Sequence, residues 1–191
     1  MKEIDLIQGS DEWKIWRSQH LTATDSSIIM QTNPFRSRLS LWEEKTLGWE
    51  QQFTQKEMDR MNAGQLLEPL AREHFQKETG LIVMPIVGEH EEFSFLGASF
   101  DGFTSDRKYS IEIKCGKKAC ILAQIGEIPP YSLTQMQKQM FISDLDKVLY
   151  YCFDGQVGIL LEVNRDNEFI EIMLAKEIEF WDCIQKFNQP D

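Results

Sequence analysis

Two extended runs joined by a short polar turn constrain the fold of this chain most strongly. The runs cover Ala98–Ser105 and Tyr109–Lys114, and together with the turn they predict a β-hairpin. Because successive side chains of a strand point to opposite faces, Glu112 and Lys114 share one face of the second strand. Pairing of the two runs is then expected to bring Asp101 to the same edge as Glu112.

Asp101, Glu112 and Lys114 form a combination with a specific chemical use. Two carboxylates and a main-chain carbonyl, such as that of Ile113, suit a hard divalent cation that retains waters for a substrate. A lysine beside them can orient or deprotonate a water and stabilise charge that develops on a phosphate oxygen. Charges on a hairpin also occur as an ordinary solvated face, so these residues alone leave both interpretations open.

Length and composition predict one globular domain over residues 1–191. Hydrophobic residues make up 42% and charged residues 27% of the chain, which is ordinary for a globular protein with a core. No apolar run approaches the ~20 residues needed to cross a bilayer. The first residues, Met1–Asp5, lack the basic and then apolar pattern of a signal peptide, so a cytoplasmic location is expected.

The cysteines and histidines do not form a metal-binding pattern. The chain has four cysteines and three histidines, and no two cysteines have Cys-x-x-Cys spacing. Zinc sites and disulfide frameworks need more regular spacing. We therefore expect reduced, structural thiols at Cys115, Cys120, Cys152 and Cys183.

The net charge of −11 is unusual for a protein that binds nucleic acid, because phosphate contacts require lysine and arginine. The charge is unevenly distributed: acids dominate residues 162–191, whereas bases gather at Arg36, Arg38 and between residues 107 and 118. A basic groove on an acidic protein is compatible with DNA, and a bound cation would offset more negative charge. The acidity argues against tight non-specific DNA binding without excluding a DNA-processing enzyme.

The order of the predicted elements indicates a mixed α/β (α+β) domain with a central sheet flanked by helices. Helices are predicted after the N-cap Ser10 and over 26–30, 40–48, 64–79, 133–143 and 175–187. Strands are predicted over 81–87, 98–105, 109–114, 147–153, 157–163 and 169–174, mostly antiparallel. Pro69 is expected to bend its helix or to lie in its first turn.

Three further positions carry side chains that could act in such a site. Glu68, before a proline in a helix, could supply a third carboxylate or face solvent. Arg17 with Thr22 and Thr24 could cradle a terminal phosphate, because a guanidinium and hydroxyls near a helix start bind anions. An arginine is also commonly a surface ion-pair partner. Gln135 could orient a water or a phosphate, although a helix glutamine is commonly a surface residue.

Five short motifs occur in an order that resembles one known family. They are Gln8-Gly9-Ser10-Asp11-Glu12-Trp13 followed by Arg17 and Leu21-Thr22-Ala23-Thr24; Gly64 with Glu68-Pro69; Ser99-Phe100-Asp101-Gly102; Glu112-Ile113-Lys114-Cys115; and Gln135-Met136-Gln137. Together they resemble the lambda exonuclease/YqaJ family of phage-type alkaline exonucleases. The resemblance extends from about Gln8 to Ser143.

This resemblance implies a restriction-endonuclease-like PD-(D/E)XK core that digests duplex DNA in the 5′–3′ direction from its ends. It implies Mg²⁺ as the cofactor, with Mn²⁺ as a substitute, and a role in phage-type recombination by strand annealing. It also implies a ring-shaped homotrimer, a single-strand annealing protein as a partner, and a bacterial or phage-infected host cytoplasm. No membrane partner is expected.

The resemblance also assigns roles at the centre of the site. Asp101 and Glu112 would be metal ligands, the Ile113 carbonyl would complete the set, and Glu68 is a candidate further ligand. Lys114 would position or activate the hydrolytic water. Glu68 would otherwise support the site from its helix.

A second group of residues follows from the same resemblance. Gln135 would support the catalytic site, and Arg17, Thr24 and Ser99 would hold the 5′-phosphate. The chain departs from the family pattern in three places. Thr24 replaces the usual serine but keeps the hydroxyl, and Phe100 replaces a proline of which no side-chain chemistry is required. The turn after the arginine lacks the usual glycine, so the details of the phosphate pocket are expected to differ.

Two other functions remain open. An endonuclease of the repair, restriction or junction-resolving kind would use the same core hairpin. A non-catalytic binding module would have no chemical need for Asp101, Glu112 and Lys114 together, so their presence argues against it.

Overall fold

A computed structural model of the chain describes residues 1–49 and 51–191. At its centre lies a six-stranded sheet in which the spatial order of the strands equals their sequence order. The strands are β1 (Lys2–Ile4), β2 (Val83–Glu89), β3 (Gly97–Thr104), β4 (Ser110–Cys115), β5 (Lys147–Phe153) and β6 (Gly158–Asn164). Neighbouring strands are antiparallel except β4 and β5, which run parallel.

Helices cover both faces of this sheet. They are α1 (Asp11–Ser18), α2 (Ala23–Ile29), α3 (Arg38–Leu47), α4 (Gln55–Thr79), α5 (Lys117–Gln124), α6 (Pro130–Ser143) and α7 (Asn167–Gln185). On one face, Ala71 and Phe75 of α4 pack with Ile111 of β4. On the other face, Met136 of α6 packs with Val148 of β5. The expected mixed α/β class, with a central sheet flanked by helices, is confirmed.

Strands β3 and β4 form the predicted hairpin. Gly102 pairs with Ile111, and a Cβ at position 102 would overlap the Ile111 side chain, so glycine permits this close approach. The pairing of β3 with β4 ends at Gly102 and Ile111. One residue earlier, the Asp101 carboxylate accepts a hydrogen bond of 2.7 Å from the main-chain N–H of Ile113. A side chain thus replaces a main-chain acceptor, and a cavity opens beside Asp101 and Glu112.

A further apolar cluster joins both ends of the chain to the sheet. Helices α2, α3 and α7 contribute Ile28, Leu41 and Phe180, which belong to one buried cluster with Phe100 of β3. Burial of these side chains stabilises the positions of α1 and α2 beside β3, because α2 follows α1 after a short turn.

A buried ion pair ties α6 to α7. Lys138 Nζ lies 2.6 Å from Glu177 Oε2, and both side chains are fully buried. Ser26 of α2 donates a hydrogen bond of 2.5 Å to the other oxygen of Glu177. Burial lowers the pKa of Lys138, and Glu177 opposes that shift. Removing one partner of such a pair typically costs roughly 3–5 kcal/mol, because the other charge is left buried and unpaired. The pair connects α7 to α6, the helix that carries Gln135.

Some helix boundaries differ from the prediction because the capping residues lie earlier than expected. Helix α1 agrees with the prediction, because it begins directly after the predicted N-cap Ser10. The next two helices do not agree. Helix α2 begins at Ala23 rather than at residue 26, since Thr22 forms a capping box with Asp25. Helix α3 is capped by Ser37 and not by Ser40.

The long helix α4 also begins earlier than predicted. It starts at Gln55, after a capping box between Thr54 and Glu57, so the predicted start at residue 64 is wrong. Pro69 lies inside this helix and not in its first turn. Helix α6 begins at Pro130 instead of residue 133, because proline at the first helical position needs no hydrogen-bond partner.

The predicted strand over residues 169–174 is wrong, since these residues lie in α7. The Asp166 side chain accepts a hydrogen bond from the N–H of Phe169 and starts this helix. Ile170, Met173 and Phe180 are buried at helical spacing. A short apolar run does not distinguish a strand from the buried part of a helix.

Two short elements have no counterpart in the sequence interpretation. Strand β1 adds to the outer edge of β2, and α5 lies in the connection between the parallel strands β4 and β5.

All four cysteines are free thiols, and Cys120 and Cys152 are buried. Within residues 1–49 and 51–191, no helix combines the length and the apolar character needed to cross a bilayer.

Candidate active site

A cavity of about 220 Å³ opens where β3 and β4 separate. It is bordered by α1, α2, α4 and α6 as well as by the two strands. All the site residues that the sequence singled out line it: Arg17, Thr24, Glu68, Ser99, Asp101, Glu112, Ile113, Lys114 and Gln135. The fold therefore brings together residues separated by more than a hundred positions in the chain.

The Glu112 carboxylate is held at both oxygens. The side chain is fully buried on the sheet face that α6 covers. Lys114 Nζ donates to its Oε1 at 2.5 Å, as expected for two residues on the same face of one strand. Gln139 Nε2 donates to its Oε2 at 2.6 Å. Asp101 lines the same cavity from β3.

The electrostatics of the cavity reflect two neighbouring carboxylates, the fully buried Glu112 and the partly exposed Asp101, that share one ammonium. Burial and the nearby charge of Glu112 raise the pKa of Asp101 well above its usual value, and Glu68 acts in the same direction. Burial alone would lower the pKa of Lys114, but Glu112 and Asp101 outweigh it and raise that pKa. The three groups therefore interact as a unit, in which Asp101 releases its proton less readily than an ordinary aspartate.

The residues present fit a hard divalent cation. Carboxylate oxygens of Asp101 and Glu112 and the Ile113 carbonyl are the oxygen donors that Mg²⁺ prefers, and Mg²⁺ usually takes only one or two carboxylates and keeps several waters. A cation would also offset the charge that raises the pKa of Asp101. Among the described residues, no three His, Cys, Asp or Glu side chains are grouped as metal ligands. A preformed set of three carboxylates that includes Glu68 is therefore not present.

Glu68 is held by an arginine of its own helix. Arg72 donates to Glu68 Oε1 at 2.6 Å and to the main-chain oxygen of Asp101 at 2.7 Å. Arg72 thereby connects α4 to β3 directly behind the cavity. Arg72 was not among the predicted site residues, although its i,i+4 spacing from Glu68 is typical of an ion pair on a helix. Glu68 as a metal ligand stays a prediction.

Arg17, Thr24 and Ser99 lie on another side of the same cavity. Trp13 donates from its indole nitrogen to the Ser99 hydroxyl at 2.9 Å, and the Arg17 guanidinium lies 4.7 Å from the centre of the Trp13 ring. Gln8 donates to the main-chain oxygen of Phe100 at 2.9 Å. The N-terminal motif and the Ser99–Gly102 motif are thus in direct contact, because the N-terminal segment packs on the strand that carries Asp101.

The turn between α1 and α2 is fixed by a buried lysine that the sequence analysis missed. Lys45 of α3 donates to the main-chain oxygens of Arg17 and His20, both at 2.7 Å. It also pairs with the buried Asp25 at 3.0 Å. Burial alone would raise the pKa of Asp25, but Lys45 and Arg17 lower it below its usual value. This charged cluster fixes the turn that places Arg17 and Thr24.

Helix α6 presents its glutamines to different surroundings. Gln135 Oε1 lies 3.4 Å from Lys114 Nζ, so this residue reaches the site as predicted. Gln137 faces away and donates to the main-chain oxygen of Asn164. Gln139, one helical turn beyond Gln135, contacts Glu112 and was missed. Its i,i+4 spacing from Gln135 was the available signal.

The fold and the positions of Asp101, Glu112 and Lys114 on its central hairpin define the restriction-endonuclease-like PD-(D/E)XK class. A family model for the YqaJ-like viral recombinase domain matches residues 12–146, which is more than half of the chain. The chain belongs to this family. The resemblance to the lambda exonuclease/YqaJ family that the motifs indicate is thereby confirmed.

Relatives and solved structures agree with this family. The uncharacterized protein YqaJ of Bacillus subtilis (strain 168) is 26% identical over 177 residues, which cover 90% of this chain. The chain spans 55% of the length of that curated relative. The crystal structure of an alkaline exonuclease (LHK-Exo) from Laribacter hongkongensis matches with a TM-score of 0.80 and 25% identity over 93% of both chains.

Two further structures share the fold. LHK-Exo in complex with dAMP matches with a TM-score of 0.79 and 26% identity, again over 93% of both chains. A phage-related exonuclease from Haemophilus somnus 129PT has a TM-score of 0.60 and 17% identity, covering 85% of this chain and 82% of that chain. At that identity the likeness concerns the fold.

Proposed function

We propose that this chain is a Mg²⁺-dependent 5′–3′ exonuclease that hydrolyses duplex DNA from its ends. The observation that carries the proposal is the convergence of Asp101, Glu112 and Lys114 in the cavity that Arg17 also lines. Two carboxylates beside an ammonium and a guanidinium suit a cation together with a phosphate. The names of the matched exonuclease structures support the reaction class.

In the proposed reaction, Asp101, Glu112 and the Ile113 carbonyl hold the cation. When bound, Mg²⁺ supplies Lewis-acid stabilisation of the phosphate and lowers the pKa of an attacking water. Lys114, held beside Glu112 in the cavity, stabilises the negative charge that develops on the phosphate oxygens. Lys114 also positions or activates the attacking water, as the resemblance implies.

Arg17, Thr24 and Ser99 are proposed to bind the terminal 5′-phosphate. Their side chains offer a guanidinium and two hydroxyls, and a bidentate guanidinium is well suited to phosphate. A 5′-phosphate held at this side of the cavity would place the next phosphodiester bond toward the carboxylates. That arrangement would give 5′–3′ polarity.

Replacement of Arg17 by alanine tests this pocket. A hydrogen bond to a charged group contributes about 1.5–3 kcal/mol, so cleavage of 5′-phosphorylated ends should fall by about 10- to 100-fold. Cleavage of 5′-hydroxyl ends should change little, and the preference for phosphorylated ends should disappear. The measurement is the initial rate on two duplexes that differ only in the 5′-phosphate.

The matched control for Arg17→Ala is Lys14→Ala on the same helix. Lys14 pairs with Asp11 at the surface and does not line the cavity. The Lys14 variant should keep the wild-type preference. An Arg17 variant that still prefers phosphorylated ends by the wild-type factor would contradict the proposed pocket.

An endonuclease of the repair, restriction or junction-resolving kind is the alternative, since it would use the same core. Incubation with equal masses of linear and closed-circular duplex DNA separates the two functions. The proposed exonuclease should degrade the linear DNA completely and leave the circles closed. Nicked or linearised circles would favour the endonuclease.

The oligomeric state, the protein partner and the cellular location are also proposals. By resemblance, the chain forms a ring-shaped trimer, works with a single-strand annealing protein in phage-type recombination, and acts in a bacterial or phage-infected host cytoplasm. Sedimentation of the purified protein tests the first of these: a mass of one chain at micromolar concentration would contradict the trimer.

A further inference from the structure

Gln139 contacts the active-site carboxylate Glu112 from outside the motifs that define the site. Its side chain is fully buried on α6. Its Nε2 lies 2.6 Å from Glu112 Oε2 and 3.4 Å from the main-chain oxygen of Ser99. One amide group therefore reaches β4 and β3 on both sides of the point where these strands separate.

The two oxygens of Glu112 have different partners. Lys114, which lines the cavity, donates to Oε1, and Gln139 donates to Oε2. The terminal torsion of a glutamate is broad, so a buried carboxylate held at one oxygen only can turn. Because both oxygens of Glu112 are hydrogen-bonded, the carboxylate has one orientation. In that orientation Oε1 lies beside Lys114.

The contact with Glu112 orients the amide of Gln139 and leaves the amide oxygen without a hydrogen-bond partner in the described part of the chain. Gln139 Oε1 is buried and has no hydrogen-bond partner within the described residues. Leaving such an acceptor unpaired costs about 1–3 kcal/mol. The opposite amide orientation would place this acceptor against the carboxylate of Glu112. Most buried polar groups in folded proteins have a hydrogen-bond partner.

We propose that Gln139 is a positioning residue that fixes the Glu112 carboxylate so that Oε1 is presented to the cation. This inference rests on the proposed function, since it assigns Glu112 as a metal ligand. Gln139 itself does not contact the substrate or the cation. It acts through Glu112, as groups that hydrogen-bond to metal-ligating carboxylates generally do.

Replacement of Gln139 by methionine removes the amide and keeps the length of the side chain. Loss of such an outer hydrogen bond typically lowers metal affinity or activity by about 10- to 100-fold. We expect kcat to fall within that range, the Mg²⁺ concentration for half-maximal rate to rise, and KM for DNA to stay within about twofold. Calorimetry without DNA should show correspondingly weaker Mg²⁺ binding.

Gln137→Met is the matched control, because Gln137 is a buried glutamine of the same helix that bonds to Asn164 and Asp166 instead. It should lose stability, but its kcat per folded molecule and its Mg²⁺ affinity should equal those of the wild type. Gln139→Asn is the second variant if the methionine variant does not fold. It keeps the amide but is one methylene too short, so the same losses are expected.

Two outcomes would reject this inference alone, and a third would reject the proposed function as well. Gln139 variants with wild-type kcat and wild-type Mg²⁺ affinity would overturn this inference and leave the proposed function intact. An equal loss in Gln137→Met would also overturn it, because the effect would then be structural. A wild-type protein that neither binds Mg²⁺ nor cleaves DNA would reject the proposed function, and the inference with it.

Discussion

Replacement of Lys114 by alanine is expected to lower the rate of duplex cleavage by about 10²- to 10³-fold, as removal of one donor to a developing oxyanion does elsewhere. Lys114 Nζ donates to Glu112 Oε1 and lies 3.4 Å from Gln135 Oε1, so its ammonium is fixed within the cavity. Substrate binding should change less than kcat, because the charge on the phosphate is greatest in the transition state. Single-turnover digestion of linear duplex measures the effect.

The Lys114 variant needs a control for folding, because it removes the charged partner of the buried Glu112. Lys114→Gln keeps a donor for that carboxylate and should be equally inactive. Lys147→Ala removes a different lysine, which pairs with Glu162 at the surface, and should be fully active. A folded Lys114 variant with more than about a tenth of the wild-type rate would contradict the assigned role.

Replacement of Asp101 by asparagine should abolish Mg²⁺ binding and reduce cleavage by at least about 100-fold, because a catalytic metal contributes several kcal/mol to charge stabilisation. The asparagine oxygen can still accept the hydrogen bond from the N–H of Ile113. The fold should therefore persist. Calorimetry with Mg²⁺ or Mn²⁺ and digestion of linear duplex are the measurements.

The same variant has an expected effect on stability in the absence of metal. Burial and Glu112 raise the pKa of Asp101 in the folded protein. A raised pKa means that stability is highest at low pH and is lost as the pH rises through the folded-state value. Above that pH the charged carboxylate destabilises the fold, so metal-free Asp101→Asn should melt at a higher temperature than the wild type.

Asp106→Asn is the control for both measurements. Asp106 is an exposed acid in the β3–β4 turn, where it accepts a hydrogen bond from the N–H of Lys108. Its replacement should leave Mg²⁺ binding and cleavage unchanged. Undiminished heat of Mg²⁺ binding in Asp101→Asn would contradict the ligand assignment. No heat in the wild type would favour the non-catalytic binding module.

The central hairpin could be predicted because its determinants are local. Alternation in β4 places Glu112 and Lys114 on one face, and the polar turn sets the return of the chain. The pairing of Gly102 with Ile111 then brings Asp101 beside Glu112. These residues are also close in the sequence, since thirteen positions separate Asp101 from Lys114.

The supporting residues could not be predicted in the same way, because their contacts depend on tertiary packing. Lys45 reaches the turn after Arg17 from a different helix, and Gln139 reaches Glu112 across 27 residues. Neither lies in a motif. The segment 169–174 illustrates the converse problem: its apolar run fits a strand locally, and only the cap at Asp166 and the packing of α7 favour a helix.

The central claim is that a cation held by Asp101 and Glu112 serves hydrolysis that begins at the 5′ end of duplex DNA. Digestion of linear duplex labelled at either the 5′ or the 3′ end, with Mg²⁺ and with excess chelator, tests it most directly. We expect immediate release of the 5′ label, late release of the 3′ label, and no release with chelator. Early release of the 3′ label, or digestion that persists in chelator, would contradict it.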